Sequence, residues 1–489
     1  MKTAINTVLN TKTHTTKTSL RTALCMMLCA ISLFGCSSMR SDYKQPELAI
    51  PGTWSQTSLQ GVNIKPQSED EPKKSLTERP DKWWMLFEDS ELNLLVDKVL
   101  LSNSDLAKAT LSLKKARLEA GLSENGKIPT VNLSHGSSFE YDGDDNSSEI
   151  SFDANLSLSY ELDLWGRVGA VADSDEWTAR ASYEDRENTA QDLVVTTATL
   201  YWKIGYLNQM LALTKQNILG TERVAKLTKS KYDIGATTRL DVLESTKTLF
   251  AQQVQLSQLQ QELAEAQNAI SILLNQPLQD TGVTINQLPI APIPDVGAGI
   301  PSDLLLRRPD IKLTLYALKA SLASKDAVDA SYMPKFELTS SLSTLSSDLF
   351  ELLQNPVAKL GSTILLPFLE WDKMELNKNI SELDYQMAVI VYKDTIYQAF
   401  EEVANLLTEK EHYFYQANVY KEQFINAQEI EAIYSSRYQN GASDIVDWIN
   451  AMESRRSIES SVLENKYNQF VTQVKLYQSL GGGDIVPEI

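Results

Sequence analysis

Residues 231–243 read KYDIGATTRLDVL, and residues 437–449 repeat the pattern as RYQNGASDIVDWI. In both copies a tyrosine precedes a glycine by three residues, and an aspartate follows that glycine by six. Each copy lies inside a long segment without proline. Each therefore predicts a sharp turn where one long helix ends at the glycine and another begins. The chain is expected to contain two long helical hairpins.

The two tips are 206 residues apart (438 − 232), and other features recur at nearly the same interval. Pro129 is matched by Pro334 at 205 residues, and Trp165 is matched by Trp371 at 206. Such self-similarity predicts an internal duplication. We expect an arm at 36–82, a first repeat at 83–276, a proline-rich linker at 277–302, a second repeat at 303–480 and a tail at 481–489.

Two strands are expected before each hairpin. Between residues 151 and 164, apolar residues alternate without a break with serine, asparagine and acidic residues, which predicts a strand with one polar face. The first repeat then has strands at about 130–164 and a hairpin at 168–276. The second has strands at about 335–369 and a hairpin at 372–480. A half-buried strand of a soluble sheet shows the same alternation, so this pattern alone leaves both kinds of sheet open.

The return helix of the first hairpin carries an apolar residue at every seventh position. The series is Val242, Leu249, Leu256, Leu263 and Ile270. Heptad spacing of this kind predicts a left-handed coiled-coil seam along the hairpin.

The amino-terminal region has the pattern of a targeting segment. A basic stretch is followed by a short apolar run that ends in Leu33-Phe34-Gly35-Cys36, which resembles the lipobox of bacterial lipoproteins. Residues 1–35 are then a signal peptide, and Cys36 is acylated as the first residue of the mature chain. The alternative is a secretory signal in which the cysteine is incidental. We expect no apolar helix long enough to cross a membrane after residue 36, so any crossing would use strands.

Composition excludes several functions. The formal charge of −19 disfavours nucleic-acid binding, which needs a basic surface. Only His135 and His412 follow the signal peptide, and no phosphate-binding glycine loop or nucleophile elbow is present. We therefore expect no enzyme activity, no metal site and no cofactor other than the covalent lipid on Cys36.

Four strands per chain cannot close a barrel, whereas three chains together supply twelve. The chain resembles the TolC-type outer-membrane efflux family, in its lipoprotein branch that serves resistance-nodulation-division (RND) pumps. The resemblance covers essentially all of the mature chain. It is carried by the two tips and by WWMLF at 83–87, SDL at 104–106, YELDLWGR at 160–167 and LLLRRPDI at 304–311.

The resemblance implies a mixed α+β membrane protein. Its fold would be a trimeric 12-stranded β-barrel in the outer membrane, continued by a long α-helical coiled-coil barrel in the periplasm. The implied partners are two further copies of the chain, a periplasmic adaptor, an inner-membrane RND-type pump and outer-membrane lipid. No nucleic acid is expected.

The family also implies roles for residues at the tips. An aspartate at the position of Asp447 forms a ring that narrows the periplasmic mouth, and a second acidic ring lies where this chain has Asn450. A tyrosine and an aspartate, matched by Tyr438 and Asp241, are held by an arginine whose position here is Ser443. Arg239 is a candidate replacement. Alternatively, both aspartates only cap the helices that follow them, and Tyr438 only packs.

Five further positions complete the candidate set. Gly235 and Gly441 are expected as turn residues, and with Tyr232 they mark where an adaptor would dock. Trp165 and Trp371, at the junctions between strand and helix, suit a membrane interface, with packing at the joint as the alternative.

The expected function is a passive exit duct for small molecules, gated at the helical tips. One alternative is a type I protein-secretion duct of the same fold. Another is a lipid-anchored periplasmic coiled-coil spacer without a pore.

Overall fold

A computed structural model describes residues 39–52, 54, 82–278, 285–295, 307–354 and 356–483. The predicted signal peptide, Cys36 and most of the predicted arm lie outside the described residues, as do parts of the linker and the tail. Seven helices are described here: α1 Ser90–Ser102, α2 Ser104–Asn125, α3 Arg167–Asp233, α4 Arg239–Leu273, α5 Pro309–Ser331, α6 Trp371–Gln439 and α7 Ile445–Ser479. The four described strands are β1 Thr130–Asp142, β2 Ser147–Leu162, β3 Lys335–Ser346 and β4 Val357–Leu365.

The first of two compact units contains the sheet. It comprises Glu119–Asp175 and Lys319–Tyr385, together with the residues up to Lys44. The four strands form one antiparallel sheet in the order β1-β2-β3-β4. Among the residues that the structure describes, both outer strands therefore have one edge without a partner, and such edges are prone to pair with another chain.

The register of the sheet separates an apolar face from a polar one. One row across the strands joins Leu133, Leu156, Leu342 and Ala358, and the adjacent row joins Asn132, Ser157, Ser341 and Lys359. Successive side chains of a strand point to opposite faces, so one face carries most of the apolar residues of the sheet. Most apolar side chains of the sheet are exposed, Leu360 to 88% and Leu133 to 74%.

The YELDLWGR segment makes the junction between β2 and α3. Both Asp163 carboxylate oxygens accept backbone N–H groups of the first turn of α3, from Val168 at 3.0 Å and Gly169 at 2.8 Å. The Arg167 guanidinium binds the Glu161 carboxylate with two hydrogen bonds of 2.8 and 2.7 Å. The indole N–H of Trp165 donates to the carbonyl of Pro334 at 2.9 Å. The end of one strand is thereby tied to the start of another.

The second unit comprises Gln45–Leu118, Glu176–Leu318 and the chain from Gln386 onward. Its largest buried side chains come from the WWMLF segment, which forms a short 3₁₀ turn rather than the start of an α-helix. Trp83 stacks on Tyr477 with ring centroids 5.3 Å apart, and Phe87 contacts Trp202 at 4.8 Å. Aromatic groups of this size dominate the burial of apolar surface in a core.

Arg308 belongs to the sequence motif LLLRRPDI at 304–311, and its hydrogen bonds explain why the motif contains an arginine there. Its guanidinium donates to both carboxylate oxygens of Asp310 at 3.0 and 2.8 Å, to Glu402 at 2.7 Å and to the carbonyl of Ser479 at 2.9 Å. A planar fork of five donors suits this arrangement, and an ammonium group would not reproduce it. The residue joins the start of α5 and the end of α7 to the middle of α6.

Some expected details differ. Along the predicted seam of α4, Val242 and Ile270 are buried, whereas Leu249, Leu256 and Leu263 are only half-buried. Within the described residues, no helix combines the length and apolarity required to cross a membrane.

Candidate functional site at the two hairpin tips

The two tips share one backbone arrangement. At the first tip, Gly235 N–H donates to the carbonyl of Tyr232 at 2.8 Å, and Ala236 N–H to that of Lys231 at 2.8 Å. At the second tip, the equivalent bonds run from Gly441 to Tyr438 at 3.2 Å and from Ala442 to Arg437 at 2.8 Å. This pair of bonds is the Schellman motif that closes a helix at a left-handed residue.

The glycines are required by conformation and not by lack of space. Gly235 has φ +74° and Gly441 φ +71°, and a Cβ atom at either position would meet nothing within 4 Å. Left-handed backbone is unfavourable for residues with a Cβ atom, by about 1–2 kcal/mol. Both glycines are therefore turn residues, as expected from the sequence.

In the first tip, Asp241 closes a capping box at the start of α4. Its carboxylate accepts the backbone N–H and the hydroxyl of Thr238, both at 2.8 Å, while the Asp241 N–H donates to that hydroxyl at 3.3 Å. The hydroxyl of Thr237 also donates to the Asp241 carboxylate. These bonds, with that from Thr237 the largest contribution, lower the pKa of Asp241 below its ordinary value. The carboxylate is thus occupied by its own helix.

The second tip has the same aspartate in a different setting. Asp447 is the third residue of α7, as Asp241 is of α4, but the N-cap position is held by Asp444 in place of threonine. A carboxylate accepts hydrogen bonds and donates none, so the Asp444 side chain cannot donate to Asp447 as the Thr238 hydroxyl donates to Asp241. Asp447 is exposed, with no hydrogen bond or ion pair in the described part of the chain.

Tyr438 lies in a small apolar core between the second tip and α3. It is 5% exposed and packs with Val224, Ile445, Ile449 and Met452. The ring of Trp448 lies against it, with centroids 5.6 Å apart. Packing therefore accounts for the burial of Tyr438.

Lys231 connects the two tips, and sequence reasoning missed it. Its ammonium group lies 3.9 Å from the ring centroid of Tyr438 and donates to the Tyr438 carbonyl at 3.1 Å. A cation over an aromatic ring stabilises by about 0.5–1 kcal/mol when exposed and about 2 kcal/mol when desolvated. Its position in the sequence could have indicated this role. Lys231 directly precedes Tyr232, in the last turn of a helix, where the free carbonyls attract cations.

The structure does not bring the other candidates into this contact. Arg239, proposed as the replacement for the missing arginine, is exposed and has no ion pair within the described residues, and Asn450 is also exposed. Tyr232 is 39% exposed, unlike its counterpart Tyr438. Of the two tryptophans, Trp165 is half-buried and hydrogen-bonded at the strand junction, whereas Trp371 is 63% exposed.

Above the second tip, Arg456 holds α7 against α3. It is 6% exposed and donates to Thr221 Oγ1 at 2.8 Å and to the carbonyl of Asn217 at 3.3 Å. Burial lowers the pKa of Arg456 from its ordinary value. Among the described residues, no group of three or more His, Cys, Asp and Glu side chains is placed to hold a metal ion.

Comparison with curated proteins finds relatives along most of the chain. "Toxin and drug export protein A" of Aggregatibacter actinomycetemcomitans is 29% identical over 410 residues, covering 82% of this chain and 88% of that protein. "Cation efflux system protein CusC" of Escherichia coli O6:H1 is 26% identical over 461 residues, covering 93% and 97%. "Toluene efflux pump outer membrane protein TtgC" of Pseudomonas putida is 27% identical over 465 residues, covering 93% and 94%.

Solved structures share the fold. The outer-membrane channel OprN superposes with a TM-score of 0.81 at 23% identity, covering 91% of this chain and 99% of that one. The Campylobacter jejuni CmeC outer membrane channel gives 0.81 at 22%, covering 92% and 96%. The expected fold class is thereby confirmed.

The family comparison completes the assignment. The description "Outer membrane efflux protein" matches residues 95–276 and again 300–482, so the match covers each sheet half with the hairpin that follows it. The expected family, its outer-membrane location and its efflux function are confirmed. The chain belongs to the outer membrane efflux protein family.

Proposed function

We propose that the chain is the exit duct of a tripartite efflux system. Three copies would form a channel that passively conducts small molecules, and the duct itself catalyses no reaction and needs no cofactor. The observation that carries this proposal is the single four-stranded sheet, which has one apolar face, one polar face and two open edges.

The open edges explain why three copies are needed. In lipid, every unpaired backbone group costs several kcal/mol, so an open sheet is not tolerated and must close. Three chains of four strands supply 12 strands, an even number within the range of outer-membrane barrels. The apolar rows would face lipid, and the polar rows of serine, threonine and asparagine would line water.

A passive duct needs partners that bind it and supply the energy for export. A periplasmic adaptor would dock at the tips around Gly235, Gly441 and Tyr232, and an inner-membrane RND-type pump would supply the energy. The relatives' names mention toluene, cations and drugs, so a duct of this family passes compounds of very different chemistry. Its pump would then decide which compound is exported.

We further propose that Cys36 carries the lipid, which places the chain in the lipoprotein branch. The residues just after it are fastened to the first unit. Met39 N–H donates to the carbonyl of Trp165 at 3.1 Å, Arg40 pairs with Asp173 at 3.0 Å, and Ser41 N–H donates to Asp326 at 2.6 Å. Mass spectrometry of the intact chain, with Cys36→Ser as control, tests this.

The gate would be the ring of three Asp447 side chains. Like charges near one axis repel each other and attract cations, and no residue in the described part of the chain pairs with Asp447. The Lys231–Tyr438 contact would hold the second tip to the first in the closed state, in place of the family's arginine. Asp241, Arg239 and Asn450 remain candidates for the same mouth, although Asp241 is occupied by its capping box. Trp165 and Trp371 remain candidates for the membrane interface.

Purified full-length chain in detergent, followed by planar-bilayer recording, tests the proposal. We expect a particle of three chains and single channels that prefer cations. Asp447→Ala should raise conductance and weaken block by divalent cations. Asp233→Ala, which removes an aspartate paired with Lys229 at the first tip, is the matched control and should leave both unchanged. A monomer without channel activity would contradict the duct.

A type I protein-secretion duct remains a second candidate, because one relative is named for toxin as well as drug export. The two candidates differ in cargo, not in fold. Deletion of the chain would abolish protein secretion in the second case, and would raise susceptibility to small toxic compounds in the first.

A further inference from the structure

One residue of the sheet is covered. Thr344 of β3, 9% exposed, is the only residue in the four strands that is buried. By register it lies in one row with Ala154 and His135, on the face that carries Leu342, Leu156 and Leu133. The cover therefore lies on the apolar face of the sheet.

The cover is the loop between β3 and β4. The Thr344 hydroxyl donates to the carbonyl of Leu352 in this loop. The loop has its own structure, because Asp348 caps a 3₁₀ turn at Leu349–Glu351 by accepting the Phe350 N–H at 2.9 Å. Gln354 N–H also donates to Glu351 at 3.0 Å. The loop folds back onto the apolar face and accepts the hydrogen bond of the Thr344 hydroxyl, which hydrocarbon could not.

The loop then presents apolar side chains outward. Leu349 is 50% exposed, Leu353 80% and Phe350 94%. The loop directly follows β3 in the chain. The apolar face of the sheet is exposed as well, with Leu342 at 46%. An apolar patch of this kind in contact with water is unfavourable, since burying such side chains is worth about 1.5–3 kcal/mol each.

The other loop of the sheet, between β1 and β2, has the opposite character. It contains Asp142, Asp144 and Asp145 and no apolar side chain from 142 to 149. Its backbone turns on itself, with Asp144 N–H bound to Asp142 Oδ1 at 2.9 Å. The two loops at the same end of the sheet are therefore suited to different surroundings.

We propose that the β3–β4 loop, residues 347–354, is an interfacial anchor that inserts Leu349, Phe350 and Leu353 among the acyl chains of the membrane leaflet at that end of the barrel. This inference rests on the proposed barrel. The loop contains Asp348 and Glu351 but no lysine or arginine, so apolar contact and not attraction to lipid phosphates holds it there. The two acids set its depth at the boundary between hydrocarbon and water, where aromatic residues of membrane barrels collect.

Site-directed spin labelling of the full chain in liposomes tests the proposal. A nitroxide is attached to Phe350→Cys, and its collisions with oxygen, which concentrates in lipid, are compared with those with a water-soluble nickel chelate. Leu360→Cys, 88% exposed on the apolar face of β4, is the lipid reference. Asp145→Cys in the acidic loop is the water reference. The parent chain without an added cysteine reports any labelling at Cys36.

We expect the Phe350→Cys label to match the Leu360→Cys label, with an oxygen-to-nickel ratio several-fold above that of Asp145→Cys. If Leu360→Cys reports lipid while Phe350→Cys reports water, the anchor is wrong and the barrel stands. If both report water, the barrel itself is wrong. Leu353→Cys, 80% exposed in the same loop, repeats the measurement should Phe350→Cys fail to fold.

Discussion

Thr238 holds Asp241 at the first hairpin tip through its backbone N–H and its hydroxyl, both 2.8 Å from the same carboxylate oxygen. At the second tip, the equivalent positions are Asp444 and Asp447, which make no such pair. A hydroxyl both donates and accepts, whereas a carboxylate only accepts. The exchange of Thr238 for Asp444 thus removes one hydroxyl donor that occupies the aspartate at the first tip.

Replacing Asp444 by threonine should transfer the first arrangement to the second tip. We expect Asp444→Thr to draw Asp447 into a capping box, protect the first turn of α7, and weaken divalent-cation block as Asp447→Ala does. Hydrogen exchange of the α7 amides and bilayer recording measure the two effects.

The double variant Asp444→Thr/Asp447→Ala separates the causes. It should show the same weak block as Asp447→Ala alone and none of the added protection. Stronger divalent block in Asp444→Thr than in the parent chain would contradict this account.

The contact between Lys231 and Tyr438 predicts a gate that opens more readily when the charge is lost. Lys231→Met keeps most of the side-chain volume but removes the cation and its bond to the Tyr438 carbonyl. We expect a higher open probability, measured by single-channel recording, with a loss of about 1–2 kcal/mol of tip stability.

Lys231→Arg is the control, because a guanidinium also stacks on an aromatic ring. It should keep open probability within about twofold of the parent chain, an effect worth less than about 0.5 kcal/mol. Equal opening in both variants would show that the cation does not hold the tip.

The tip glycines predict a stability difference that depends only on backbone conformation. Gly441→Ala, at φ +71° with open space around it, should destabilise the tip by about 1–2 kcal/mol. Gly220→Ala, in the interior of α3 and equally open, should stabilise by about 0.5–1 kcal/mol. Thermal unfolding of the two variants should shift in opposite directions, and a shift in the same direction would contradict the explanation.

The capping box at the first tip should respond to pH. Because the folded pKa of Asp241 is lowered, its contribution is fully present above the unfolded value of about 3.9 and is lost as pH falls through the folded pKa. Hydrogen exchange of the first turn of α4 should be faster in Asp241→Asn than in the parent chain at pH 7. The two proteins should converge once the pH falls below the folded pKa, and a constant difference down to that point would contradict this role.

Much of the fold is predictable because its signals are local. The glycines at the tips, the missing prolines and the strict alternation between residues 151 and 164 act over a few residues, so they predict hairpins and strands without knowledge of the partners. The duplication and the family follow from the same patterns. Details that depend on contacts were harder to predict from the sequence. One example is the WWMLF segment, which forms a 3₁₀ turn and packs its aromatic rings against Tyr477 and Trp202.

The candidate site was predicted in position but not in its connections. The sequence located both tips and both aspartates by spacing. It pointed to Arg239 as the substitute for the missing arginine, while the structure has Lys231 over Tyr438. Residues 207 apart in the chain are brought together by packing of two hairpins, and no local pattern encodes which cation reaches the ring.

The sequence by itself determined the elements, their duplication and their two-faced strands, because helix ends and strand faces depend on neighbours a few residues away. Only the tertiary structure decided that Tyr438 is buried while Tyr232 is exposed, that Asp241 is held while Asp447 is free, and that a loop covers Thr344. These outcomes depend on which side chains meet across distant segments, and the free energy of such contacts is set by the packed geometry.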